Sequence, residues 1–232
     1  MMSTDRRNLM LRKLFQKIPR RNWLMLIPLC IGGLYFLLLE LIAPAPRYIL
    51  HTPLDDLIPF TAAFIIPYVT WYFYVAGTGV LLFFKDSDEF VRFAAFLSSG
   101  MIIACLIYTF WPNGQTMRPD LSSPQGPLET LVHLLYTIDT PTNSCPSIHV
   151  VYSIGSHAAL VRHNRTYWRN KALPVVSLIA AVFIILSTVF VKQHSVICIV
   201  GGLLMALILY IAIYGRSAVR YYRAQKAAKA AY

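Results

Sequence analysis

The residues with chemistry in them are two histidines, a serine and an arginine. His149 stands in Ser144-Cys145-Pro146-Ser147-Ile148-His149, and His194 in Lys192-Gln193-His194-Ser195. Arg118 stands in Gln115-Thr116-Met117-Arg118-Pro119. Such a set suits a phosphate ester, which needs its charge neutralised, a nucleophile in line, and an acid for the leaving oxygen. An arginine fork donates two hydrogen bonds to phosphate. Ser147 and the amides at a helix start add donors, favoured by the helix dipole. A neutral imidazole attacks phosphorus, and a protonated one supplies the leaving group's proton. No acidic cluster suited to magnesium stands beside them, so the expected reaction is metal-independent and uses no cofactor.

Each piece alone is weak, since a histidine at the end of an apolar helix is more often an interfacial residue than a catalyst. What matters is whether the fold gathers all of them at one face. The composition says which kind of fold that is: 57% of the 232 residues are hydrophobic and 13% charged, with a mean hydropathy of +0.56. A soluble domain carries about a quarter charged residues. The expected class is therefore all-α, a polytopic membrane protein. The net charge of +11 would suggest nucleic acid in a soluble chain. Here the basic residues flank apolar segments, so membrane lipids and not nucleic acid are the expected partners.

Residues 1–22 form a basic arm, with Arg6, Arg7, Arg12, Lys13, Lys17, Arg20 and Arg21 against Asp5. Interleaved leucines suit an interfacial helix on an anionic surface; a solvated positive-inside tail fits equally. Six apolar segments follow within residues 23–215, near Trp23–Ile42, Pro59–Phe84, Phe90–Trp111, Ser147–Val161, Leu173–Val191 and Ser195–Tyr214. With both termini cytoplasmic, 18 of the 21 lysines and arginines lie inside, leaving Arg47, Arg118 and Lys192 outside. That bias sets the expected orientation. It brings His149, His194 and Arg118 to the outer face at headgroup depth, where ionisable groups tend to be functional. The first segment reads as a retained span. Pro112 to Pro146 is the longest polar connection, and Leu128–Ile138 within it suits a short helix. His157 reads as a packing or polar-contact residue, and His163 as part of a basic cytoplasmic loop. Residues 216–232 read as a helical basic tail leaving the membrane.

The same motifs carry a resemblance. Gln115–Pro119, Asn143–His149 and Ser187–Cys198 followed by Gly201-Gly202 resemble the three motifs of the type 2 phosphatidic acid phosphatase superfamily. The similarity is strongest to its branch of inositol-phosphorylceramide-synthase-like proteins, and covers about residues 90–215. The resemblance implies that His194 is the nucleophile forming a phosphohistidine and that His149 protonates the leaving alcohol. It implies that Arg118, Ser147, Lys192 and Gln115 hold the phosphate of a lipid substrate. It also implies a plasma or inner membrane, with the site facing the non-cytoplasmic side.

The chain departs from the family at Trp111 and Thr188, where the family often has cations, and at Cys198, where it has an aspartate. On a helix, positions four apart share a face, so that carboxylate would steady His194 and its developing charge. A thiol is a weak acceptor, and an impaired lipid phosphatase is expected. A headgroup or phosphoryl transferase uses the same histidine chemistry and stays open, as does a non-catalytic lipid-binding or transport protein. A Cys145–Cys198 disulfide is conceivable, but nothing in the sequence fixes their separation.

Overall fold

The computed structural model describes residues 18–42 and 45–230, with residues 216–230 described by backbone alone. The arm's reading as an interfacial helix falls mostly on residues 1–17, outside the described residues. Helix accounts for 76% of the chain and strand for 3%, in line with the all-α expectation. In order, the helices are α1 (Arg20–Ile42), α2 (Pro53–Leu57), α3 (Ile65–Lys85, after a 3-10 turn at Ala62–Phe64) and α4 (Ser87–Phe110). Then come α5 (Pro127–Ile138), α6 (Ile148–His163), α7 (Ala172–Phe190) and α8 (Val196–Ala230).

Among the described residues, five helical stretches are long and apolar enough to cross a membrane: Arg20–Ile42, Ala62–Lys85, Ser87–Phe110, Ala172–Phe190 and Val196–Gly215. The remaining expected segment, which opens with Ser147, is helical but short. Helix α6 has 16 residues, about 24 Å of rise, against about 30 Å of hydrocarbon. Eleven of those residues are buried, because α6 is the central helix, packed against α3, α4, α7 and α8. A helix shielded from lipid can carry Ser153, Ser156 and His157 inward, which a lipid-facing one could not. His157 Nδ1 lies 3.0 Å from Ser177 Oγ on α7.

One end of the bundle is fastened by charge. Asp86 caps α4, accepting the Glu89 amide at 3.1 Å. Buried Glu89 pairs with Arg92 and Arg162, each at 3.1 Å, and buried His163 sits 3.0 Å from Asp86. The other end is knitted by loops. A short parallel pair, β1 (Tyr48–Ile49) with β2 (Asn113–Gly114), is joined by an antiparallel bridge from Gly114 to Thr142. A side chain at Gly114 would put its Cβ 2.6 Å from the Pro141 carbonyl oxygen, so only glycine fits there. Gly202 does the same for helix packing, since a Cβ would stand 2.8 Å from the Ser147 oxygen of α6.

Candidate functional site

The loop-bound end holds a cavity of about 350 Å³, and its lining includes both histidines, His149 and His194. Their ring centroids are 5.7 Å apart, although one belongs to the first turn of α6 and the other to the turn before α8. Apolar side chains of α1 and α4, Phe36, Leu37 and Met101, are among its lining. Polar residues of the 139–144 loop also line it. The space is thus amphipathic, as a lipid headgroup with its first carbons requires.

His194 is set by backbone. Asn113 Oδ1 accepts the amides of Ser144 at 3.0 Å and Cys145 at 2.8 Å, and its Nδ2 donates to the Cys145 carbonyl at 2.9 Å. The Ser144 carbonyl so held lies 2.9 Å from His194 Nδ1. A carbonyl only accepts, so Nδ1 carries the proton and Nε2 keeps its lone pair. Burial lowers the His194 pKa to about 4, against the opposing effect of the Ser144 bond, so the ring is neutral at pH 7. A neutral ring with a lone pair at Nε2 is the form a nucleophile needs.

The role expected of residue 198 is corrected. Helix α8 begins at Val196, so His194 precedes it and does not share a helical face with residue 198. Cys198 is fully buried beside Cys145, Leu50 and Trp111, and both cysteines are free thiols. The carboxylate at this helix start is Asp55 of α2, which accepts the Val196 amide at 2.8 Å and the Ser195 hydroxyl at 2.5 Å. Burial raises the Asp55 pKa, but hydrogen bonds from Ser195, Val196 and Thr52 outweigh it and leave it below the usual value. The N-terminus of α8 is therefore already filled by an anion of the protein itself.

His149 is buried against the rings of Trp71 and Tyr68, at centroid distances of 4.2 and 4.6 Å. Its Nε2 is buried with no partner, as are Ser147 Oγ and Arg118 Nε. Helix α6 also starts without a side-chain cap. Buried polar atoms are costly when unpaired, and three of them belong to the residues the sequence singled out.

The remaining residues sit otherwise. The Arg118 fork, expected to grip two phosphate oxygens, donates to the carbonyls of Tyr136 at 3.3 Å and Asp139 at 2.7 Å, and to Gln193 Oε1. Lys192 points away from the cavity, its Nζ bonded to the carbonyls of Asp55 at 2.9 Å and Ile58 at 2.5 Å. Gln115 is buried, with Nε2 on the Lys192 carbonyl at 2.8 Å and Oε1 on the Met117 amide at 2.6 Å. None of the four residues expected to hold phosphate, Arg118, Ser147, Lys192 and Gln115, lines the cavity.

Two carboxylates at the cavity escaped the sequence reading. Asp139 accepts Tyr68 Oη at 2.9 Å and Gln193 Nε2 at 3.1 Å, and burial raises its pKa to about 6. Glu40 of α1 accepts Thr140 Oγ1 at 2.7 Å and Asn143 Nδ2 at 2.8 Å. Glu40 had a signal, as the one charged residue in Trp23–Ile42. Asp139 had none among its Thr and Pro neighbours. No family model, curated protein or solved structure matches the chain.

Proposed function

We propose that this chain is a multi-pass membrane enzyme that hydrolyses a lipid phosphate ester through a phosphohistidine at His194. The observation that carries the reading is the histidine pair itself, 5.7 Å apart in one amphipathic cavity, with His149 Nε2 unpartnered. In the reaction, the Nε2 lone pair of His194 attacks phosphorus, and the bond from phosphorus to the leaving alcohol breaks. Protonated His149 gives its proton to that oxygen. Water then attacks phosphorus and returns a proton to His149, the P–N bond breaks, and both rings are restored. His149 takes up its proton as the anionic phosphate enters beside it.

Ser147 Oγ and Arg118 Nε are also buried without partners, but neither residue lines the cavity, so the reading rests on the two histidines. The resemblance to the type 2 phosphatidic acid phosphatase superfamily supports the same roles for His194 and His149. The basic loops support six crossings by chain count, with α6 as the short central one, cytoplasmic termini, and a site on the non-cytoplasmic side of a plasma or inner membrane. Transfer to a second lipid's hydroxyl would share every step up to the covalent intermediate.

The test is the full chain in nanodiscs, offered a panel of lipid phosphates, diphosphates and diesters with an alcohol acceptor. Release of phosphate or phosphorylated headgroup, with an acid-labile label on His194, supports the hydrolase. Product appearing only on the acceptor makes it a transferase. No label and no turnover with any lipid overturns the enzyme and leaves a lipid-binding protein.

A further inference from the structure

Among the described residues, one carboxylate at the cavity makes no ion pair. Among the described residues that line it, none is a lysine or arginine, whereas Glu40 and Asp139 both do. Asp139 is answered by Arg118, which bonds its carbonyl at 2.7 Å and is attracted first to its charge and only last to that of Glu40. Among the described residues, the hydrogen-bond partners of Glu40 are neutral: the Thr140 hydroxyl and amide and the Asn143 amide group. A carboxylate in an apolar helix near a membrane is costly and tends to be retained for function. A second, independent sign of a ligand lies in the same cavity, where His149 is 9% exposed and its Nε2 is unpartnered.

A phosphate dianion alone would complete His149 but repel Glu40. A headgroup carrying an anion and a cation satisfies both. We infer that the lipid bound here carries a primary ammonium in its headgroup, seated on Glu40 while its phosphate faces the histidines. The two subsites are tied to one loop: Asn143 holds Glu40, and the next residue, Ser144, holds His194. The Thr140 and Thr142 hydroxyls, 2.7 Å apart, stand beside the carboxylate and add acceptors for the remaining ammonium hydrogens. A quaternary ammonium has no hydrogens to donate and is bound by enclosing aromatic faces. The groups gathered around Glu40 are instead hydroxyls and an amide, which reward hydrogens on the nitrogen.

This inference rests on the cavity being the lipid phosphate site, and the experiment separates the two. The full chain in detergent micelles is titrated calorimetrically with dihexanoyl phosphatidylethanolamine, phosphatidylcholine, phosphatidylglycerol and phosphatidic acid, and turnover of the same lipids is followed in parallel. Phosphatidylethanolamine should bind about tenfold more tightly than the other three. Glu40→Gln should remove that margin without weakening phosphatidylglycerol, and Glu40→Asp should keep part of it. Equal affinities, a preference for phosphatidic acid or choline, or an equal loss for every lipid in Glu40→Gln overturns the ammonium subsite. Turnover without ammonium preference keeps the reaction and rejects the subsite. Ammonium-selective binding without turnover does the reverse.

Discussion

The Nδ1 nitrogen of His194 lies 2.9 Å from the carbonyl oxygen of Ser144, fifty residues earlier in the chain. That bond does for the ring what a carboxylate does in other histidine sites: it fixes the tautomer and leaves Nε2 to react. It differs in charge, since a carbonyl supplies only a dipole to a developing imidazolium. His194 is the residue whose loss should silence turnover altogether. His194→Asn keeps a donor toward Ser144 but has no nucleophilic nitrogen, and turnover should fall by about a thousandfold or more. Phosphate release and the acid-labile label are the measurements, and an asparagine variant that still labels would overturn the assignment.

Cys198 should be silent in the chemistry. It is fully buried in a cluster with Cys145, Leu50 and Trp111, and the partner of His194 Nδ1 is the Ser144 carbonyl instead. Cys198→Ser should keep turnover within about threefold, as a near-isosteric change at a residue that does not supply the histidine's hydrogen bond. Cys198→Asp should unfold at lower temperature and gain no activity, because it buries an unpaired carboxylate near Asp55 at a cost of several kcal/mol. A rise in turnover in the aspartate variant would show that residue 198 does reach His194.

Lys192 should matter for stability and not for phosphate. Its backbone is left-handed, with φ 53°, and its ammonium closes over the end of α2 by two carbonyl bonds. Lys192→Met removes those bonds, and melting should reflect a loss of about 2 kcal/mol. The KM for any lipid phosphate should stay within about threefold once the comparison is made well below the melting temperature. A KM increase of tenfold or more would return Lys192 to the phosphate.

The helices were legible because apolar runs of about twenty residues have one stable form in lipid. The shortness of α6 was legible too, in the fifteen residues of Ser147–Val161. Its place at the centre of the bundle was not, since an apolar stretch reads alike whether it faces lipid or other helices. The convergence of His149 and His194 followed from counting crossings and basic loops. Their partners did not follow. Ser144 acts through its carbonyl, which every residue type carries, and Asn113 acts through a loop whose course is set by pairing with Tyr48–Ile49. The expected use of Lys192, Gln115 and the Arg118 fork failed for the same reason: long polar side chains at a loop-rich end satisfy backbone carbonyls first, because those carbonyls are buried with them.

Asp139 should give the protein a pH-dependent stability that a single substitution removes. Its carboxylate bridges Tyr68, which packs on His149, and Gln193, which precedes His194. Burial raises its pKa from 3.8 to about 6 in the folded chain. The folded state therefore holds a proton between about pH 4 and 6 that the unfolded chain has released. Its contribution is full below about pH 4 and is lost as the pH rises through 6, by about 3 kcal/mol in all. Other carboxylates, Asp55 among them, act in the opposite sense at lower pH, so the reading is the difference between two melting curves. Asp139→Asn cannot release the proton, and its melting temperature relative to the native chain should rise steadily from pH 4 to 6 and level off above. A constant difference across that range would show that Asp139 is already ionised at pH 4, held by Arg118 more strongly than its burial opposes.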